Sequence, residues 1–109
     1  MKRDFHAAIN SLEDGPFKDS DGKSLTLKRV CIDAIGAQLE GDRGDSGEAT
    51  MARYAMAQRI VDGFAAGQPV ELTVDELKII KDRILKVWGV FVIGPAFKLL
   101  EADYVEPRV

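Results

Sequence analysis

The sequence predicts an all-α fold: a small bundle of about four helices with a short β-hairpin, residues 17–25, packed on one side. Two observations lead to this prediction. Apolar residues recur at three- and four-residue spacing along most of the chain, which is the period of an amphipathic helix. Threonine, serine and glycine, which commonly begin and end helices, stand at the borders of these stretches.

Length and composition are those of one globular domain. The chain has 109 residues, of which 46% are hydrophobic and 30% charged, with a formal net charge of −3. We therefore assign residues 1–103 to a single helical domain and residues 104–109 to a flexible C-terminal tail. The acidic balance disfavours a nucleic-acid partner bound by bulk charge, because phosphate contacts need a basic face.

Cysteine, histidine and hydropathy exclude several classes of protein. A single cysteine, Cys31, rules out an internal disulfide, and its apolar helical surroundings favour a buried thiol. One cysteine and His6 cannot by themselves fill a zinc site or build a histidine-centred triad, so we predict no metal, no cofactor and no catalytic residue. No signal peptide and no membrane span are evident. We expect a soluble cytosolic protein with no membrane contact.

The N-terminal quarter allows two interpretations. Apolar residues at positions 5, 8, 9 and 12 follow helical spacing and predict a helix over residues 1–12, whereas those at 5, 7 and 9 alternate as in a strand. Residues 13–16, E-D-G-P, indicate a turn. The Asp21-Gly22 pair then predicts the tight reversal of the 17–25 hairpin.

Two helices follow, and both have capping residues at their borders. Thr26 is expected to cap a helix that ends at Gly41. After a polar, glycine-rich loop, Ser46 is expected to cap a long helix over residues 47–66, which Gly67 ends.

The last third of the chain begins with a strong helix-start pattern. Thr73 and Glu76 have the spacing of a capping box, and apolar residues follow at helical spacing up to position 88. Gly89 and the Gly94-Pro95 pair predict two breaks close together. A separate final helix is therefore expected over residues 95–102.

Residues 88–100 include more apolar side chains than one small domain covers easily. They lie on all sides of their element, which is typical of a segment that is either central in the fold or shared with another chain. Full burial in the monomer is one explanation, and a surface for a protein partner or for a homo-oligomer is the other. On the second explanation, large aromatic side chains are the anchors. The partner-binding residues are then Trp88, Phe91, Ile93 and Phe97.

A small basic cluster supports an alternative function, a nucleic-acid-associated regulator of transcription. Aspartates lie close to this cluster in the sequence and dilute its charge. The loop over residues 39–47 is too long and too acidic for a helix-turn-helix. The nucleic-acid-binding residues of this alternative are Lys23, Lys28, Arg29 and Arg53.

Three stretches, which together span about residues 17–101, support a resemblance to a known group of proteins: P-F-K-D-S-D-G-K-S-L-T-L-K-R-V, V-E-L-T-V-D-E-L-K-I-I-K-D-R-I-L-K and G-P-A-F-K-L-L-E. In them the chain resembles small, uncharacterised proteins of tailed bacteriophages and prophages. The resemblance implies a viral protein in the host bacterial cytoplasm, with a role as assembly factor, virion part or modulator of host machinery. It implies no catalytic residue.

Together these observations predict a function without naming a partner. The leading hypothesis is a non-enzymatic bacteriophage protein-interaction module, either an assembly factor or an inhibitor of a host protein, that acts through its apolar C-terminal helical element. The alternative is the nucleic-acid-associated regulator. A third hypothesis is an enzyme or a ligand-sequestering protein whose site forms only between subunits.

Overall fold

The computed structural model describes residues 1–13 and 15–102, so the tail predicted over residues 104–109 lies outside the described residues. These residues include a single-turn 3-10 helix, Glu40–Asp42, in addition to the α-helices and strands given below. The described chain is mostly helical, as predicted. It contains four α-helices: α1 (Leu27–Gly36), α2 (Gly47–Ala66), α3 (Val74–Val87) and α4 (Val90–Glu101).

Two short strands form a small antiparallel sheet. These are β1 (Lys2–Arg3) and β2 (Val70–Glu71), in which Lys2 lies opposite Glu71 and Arg3 opposite Val70. The sheet joins the N-terminus to the connector between α2 and α3, so its two strands are far apart in the sequence. Sequence patterns did not predict this pairing.

The N-terminal segment is extended, so the helix predicted over residues 1–12 is wrong. Isolated bridges join Ala8 to Thr26 and Asn10 to Pro16. The alternating interpretation is the correct one, because Phe5 and Ile9 fill the core with exposed fractions of 1% and 0%. An extended segment can place these two side chains in the core while its other face remains at the surface.

A chain reversal lies where the 17–25 hairpin was predicted. Lys18 bridges to Ser24, and the backbone N–H of Gly22 donates to the carbonyl of Asp19 at 3.0 Å. The backbone N–H of Leu25 donates to the carbonyl of Phe17 at 2.7 Å. The 17–25 segment also pairs with the extended N-terminal segment, which explains how so small a piece is held in place.

Helix α1 is the centre of the core and packs between α2 and α3. Thr26 caps it as predicted, since its hydroxyl accepts a hydrogen bond from the backbone N–H of Arg29 at 3.3 Å. Burial raises the pKa of the Cys31 thiol, which therefore stays protonated. The buried residues of α1 are Leu27, Val30, Cys31, Ala34 and Ile35.

The end of α1 differs from the prediction because a distant arginine satisfies its last carbonyl groups. The helix ends at Gly36 rather than Gly41. Arg83 of α3 donates from Nε to the carbonyl of Ala34 at 2.9 Å and from Nη2 to that of Ala37 at 2.6 Å. These carbonyls have no partner within the helix, so a cation from another element provides the cap.

The buried side chain of Arg83 also forms an ion pair with Asp42, which is partly buried. Nη1 and Nη2 of Arg83 lie 2.9 and 3.0 Å from the two carboxylate oxygens of Asp42, a bidentate arrangement. The carboxylate also accepts a hydrogen bond from the backbone N–H of Leu39 at 3.0 Å. The Arg83 guanidinium and this N–H hold the pKa of Asp42 well below its usual range. The pair joins α3 to the turn that follows α1.

Helix α2 begins and ends where the sequence predicted. The hydroxyl of Ser46 accepts a hydrogen bond from the backbone N–H of Ala49 at 3.1 Å. Gly67 ends the helix in the left-handed conformation with φ of 69°. Only Met56 and Ile60 of this helix are buried, so most of its surface faces outward.

We expect Gly63→Ala to destabilise the protein, although alanine is the better helix former. A Cβ at Gly63 would lie 2.5 Å from Cγ2 of Val70, a buried side chain of β2. Overpacking of this kind costs about 1–3 kcal/mol, against a gain of about 1 kcal/mol from helix propensity. Urea denaturation measures the change. Gly47→Ala is the control because no atom lies within 4 Å of its Cβ; equal stability of the two variants would contradict the close contact.

The start of α3 confirms the predicted capping box. The hydroxyl of Thr73 accepts from the backbone N–H of Glu76 at 3.1 Å, and the carboxylate of Glu76 accepts from the backbone N–H of Thr73 at 3.0 Å. The break at Gly89 is also confirmed, because α3 ends at Val87 and Gly89 is the N-cap of α4.

The second predicted break is wrong, because α4 continues through Pro95 instead of beginning there. Gly94 has no Cβ, which removes part of the clash that proline imposes on the residue before it. Pro95 has no N–H to donate to the carbonyl of Phe91. Phe91 is 62% exposed, so water can reach this side of the helix and replace the lost bond.

Candidate partner-binding groove

Helix α4 is peripheral although it is the most apolar of the four described α-helices. It contacts α3 and α1 through one face, on which Ala96 and Leu100 are fully buried. Its opposite face is open, and Val90 and Phe91 are 70% and 62% exposed. Its half-buried residues against the core are Val92, Ile93, Phe97 and Leu99.

A groove of about 490 Å³ lies between this open face and the extended N-terminal segment, and we call it the α4 groove. Leu12, which is 83% exposed, stands on its N-terminal wall. Of the described residues that line the groove, only Lys98 carries a charge. An open, mostly apolar concavity with few polar groups is typical of a binding site. The lining residues are Ala8, Asn10, Leu12, Val90, Phe91, Gly94, Pro95, Lys98 and Leu99.

The structure separates the four predicted partner-binding residues. Phe91 lines the α4 groove. Trp88 is half-buried and donates from Nε1 to the carbonyl of Val30 at 3.1 Å, and Ile93 is half-buried against the core. Phe97 lies in a different hollow, between α3 and α4. Only one of the four thus belongs to the groove, because Ile93 and Phe97 lie on the sides of α4 that face its neighbours, and Trp88 precedes α4 and points toward α1.

Sequence reasoning missed the N-terminal wall of the groove. Ala8, Asn10 and Leu12 form this wall because the segment is extended, whereas a helix was predicted there. The alternation at positions 5, 7 and 9 was the pattern that could have indicated it. Lys98 was also missed, since a lysine on an amphipathic helix is ordinarily a solvated residue.

The four basic residues of the nucleic-acid alternative differ in their partners. Nη1 of Arg29 lies 3.3 Å from a carboxylate oxygen of Asp33, and Arg53 is paired with Asp45 at 2.8 Å. The ammonium group of Lys28 lies 5.0 Å from the centre of the Phe64 ring. Lys23 is exposed in the hairpin turn. Two of the four cations therefore already have a carboxylate partner, which weakens their electrostatic attraction for a phosphate group.

Helix α2 carries a second apolar stripe at the surface. Met51, Tyr54 and Val61 are 62%, 63% and 41% exposed, and Gln58 lies between them at helical spacing. The stripe belongs to one helix, whereas the α4 groove has walls from two segments. A concave site buries more of a ligand than a single helix surface, so we regard the α4 groove as the better candidate.

Comparison with known proteins gives no match. No protein-family model, no curated protein and no solved structure matches the chain. Across residues 1–13 and 15–102, no group of three or more His, Cys, Asp or Glu side chains could hold a metal ion. None of the helices in this part of the chain is long and apolar enough to cross a membrane.

Proposed function

We propose that this protein is a non-enzymatic interaction module that binds a partner protein through the α4 groove. The observation that supports the proposal is the exposure of Val90 and Phe91 on an apolar helix, next to a second apolar wall. Burial of one large apolar side chain contributes about 1.5–3 kcal/mol. A partner that covers both side chains would therefore gain a substantial part of a micromolar affinity.

The resemblance to phage proteins adds a proposed class of partner. We propose that the module acts in the cytoplasm of a bacterial host, as an assembly factor or as an inhibitor of a host protein. The partner is then a phage or host protein. Homo-oligomerisation is a separate version of the same proposal, and analytical ultracentrifugation distinguishes it: a monomer at micromolar concentration would exclude a second copy as the partner.

We expect Phe91→Asp to abolish capture of the partner, whereas Tyr54→Asp leaves capture unchanged. The two aromatic side chains are matched, since both lie on helices and are 62% and 63% exposed. A charge at position 91 would have to be desolvated in the complex, which should weaken binding by about 100-fold or more. The measurement is quantitative mass spectrometry of proteins retained from bacterial lysate by each immobilised variant.

Two results would contradict the proposal. Retention of the same proteins by Phe91→Asp and by the unmodified chain would remove the α4 groove as the binding surface. Loss of the partner from Tyr54→Asp alone would move the surface to α2. Circular dichroism of both variants checks that each is folded, and both positions are exposed enough for a single charge to be tolerated.

A further inference from the structure

The N-terminal wall of the α4 groove is the edge of a set of paired extended segments. The carbonyl of Ala7 accepts from the N–H of Leu27 at 2.9 Å, and the N–H of Ile9 donates to the carbonyl of Leu25 at 2.8 Å. The carbonyl of Ile9 also accepts from the N–H of Phe17 at 2.9 Å. The backbone groups of residues 7 and 9 therefore point into the protein.

The backbone groups of Ala8 and Asn10 point the other way. Both residues occupy non-hydrogen-bonded positions of their antiparallel bridges, and at such positions the N–H and C=O groups face the opposite edge. Within residues 1–13 and 15–102, the peptide N–H and C=O groups of Ala8 and Asn10 have no hydrogen-bond partner. Two donors and two acceptors are thus available along the groove.

We propose that the α4 groove binds an extended peptide segment of a partner, which pairs with the backbone of Ala8 and Asn10 as an added strand. Its apolar side chains lie against Val90, Phe91 and Pro95, and a carboxylate of the segment pairs with Lys98. This inference rests on the proposed function and specifies the conformation and chemistry of the partner. Such strand addition combines main-chain hydrogen bonds for affinity with pockets for alternate side chains.

The open edge favours an extended partner over a helical one. A helix uses its own backbone groups internally, so a helix that covered the groove would bury the Ala8 and Asn10 groups without partners, which is costly. An extended chain satisfies these groups. The charge of the groove also favours an acidic partner. Lys98 is the one cation among the described lining residues, so a segment with an aspartate or glutamate fits better than a basic one.

Selection of a displayed random-peptide library on the immobilised full chain identifies the class of ligand. We expect enriched peptides to alternate apolar with other residues, as extended strands do, and to include an acidic residue. Enrichment of peptides with apolar residues at helical spacing would overturn the strand assignment. Enrichment of no peptide would overturn it as well.

We expect Asn10→Pro to weaken binding of a selected, fluorescently labelled peptide by about tenfold or more, as measured by anisotropy. Proline removes the N–H of residue 10, which has no hydrogen-bond partner among residues 1–13 and 15–102, so the substitution breaks no hydrogen bond within the described fold. Asn10→Ala is the matched control, because it removes the side chain and keeps the N–H. Its affinity should stay within about twofold.

Two further measurements test the proposal without relying on the fold of Asn10→Pro. N-methylation of alternate peptide residues removes the donors of the added strand and should weaken binding to the unmodified chain as strongly. Lys98→Glu should lose the acidic peptide and bind a lysine-substituted version. Equal binding by Asn10→Pro and Asn10→Ala, together with an inert N-methyl series, would overturn strand addition.

The two proposals can fail separately. If Phe91→Asp loses its protein partner but the backbone changes have no effect, the groove is an interaction surface and the added strand is wrong. If neither change affects binding, both proposals are wrong. If the unmodified chain forms a dimer and Asn10→Pro dissociates it, the open edge binds a second copy of this chain. The acidic-peptide assignment would then be wrong.

Discussion

Arg83→Met is expected to lower the free energy of unfolding by about 3–5 kcal/mol. The guanidinium group of Arg83 is buried and forms four hydrogen bonds, two to carbonyls at the end of α1 and two to the carboxylate of Asp42. Its removal leaves those carbonyls and a half-buried carboxylate without their partner. Urea denaturation followed by circular dichroism measures the loss, which is a large fraction of the stability of a domain of this size.

Arg29→Met is the matched control for this prediction. Arg29 pairs with Asp33 at 3.3 Å on the surface of α1, where both side chains are more than 40% exposed. Exposed pairs contribute between about 0 and 1 kcal/mol, so this variant should remain close to the unmodified chain. If both arginine variants lost the same free energy of unfolding, the burial of Arg83 would not be the cause of its stabilising effect.

The Arg83 ion pair also predicts a pH dependence. Because the pKa of Asp42 is lowered in the folded state, the unfolded chain binds a proton more readily. The contribution of this group to stability is therefore complete above about pH 5 and decreases as the pH falls below that value. Between about pH 6 and pH 3 the unmodified chain should lose more stability than Arg83→Met, which lacks the cause of the shift. Parallel pH profiles would contradict this assignment.

Phe5→Ala is expected to lower the free energy of unfolding by about 3–5 kcal/mol and the melting temperature by more than about 10 °C. Phe5 is 1% exposed and belongs to the same core cluster as Ile9, Leu27 and Ile84. Truncation removes apolar contacts and leaves a cavity where the N-terminal segment packs on the helices. Differential scanning calorimetry measures both quantities.

Phe91→Ala provides the comparison for Phe5→Ala, since it makes the same chemical change at a position that is 62% exposed. Its effect on stability should stay within about 0.5 kcal/mol. A small effect of Phe5→Ala would mean that the N-terminal segment is not part of the core. A large effect of Phe91→Ala would mean that the outer face of α4 is covered within the monomer, which would also contradict the proposed function.

The helix borders show how far local sequence patterns reach. Ser46 and Gly67 enclose α2 at the predicted residues, and the capping box of Thr73 and Glu76 begins α3 as predicted. Each of these caps depends on residues within about four positions of one another. The information needed for them is therefore present in a short window of the sequence.

The failed predictions have a different origin. Residues 1–12 have apolar residues at helical spacing, which favours a helix, and also a shorter alternating pattern. Contacts with Pro16 and Thr26 select the extended form. The end of α1 at Gly36 depends on Arg83, which is 49 residues beyond Ala34 in the chain. Neither outcome follows from a local window, because the deciding partners are distant in sequence.

The sequence by itself determined that most of this chain is helical and at which residues α2 and α3 begin. It also determined that residues 88–100 are unusually rich in apolar side chains. Only the tertiary structure decided that α1, and not the more apolar α4, occupies the centre, and that Phe91 faces outward while Trp88 and Phe97 face neighbouring helices. The physical reason is that capping and periodicity are local properties. Which face of a helix stays uncovered depends instead on how distant segments share a limited core.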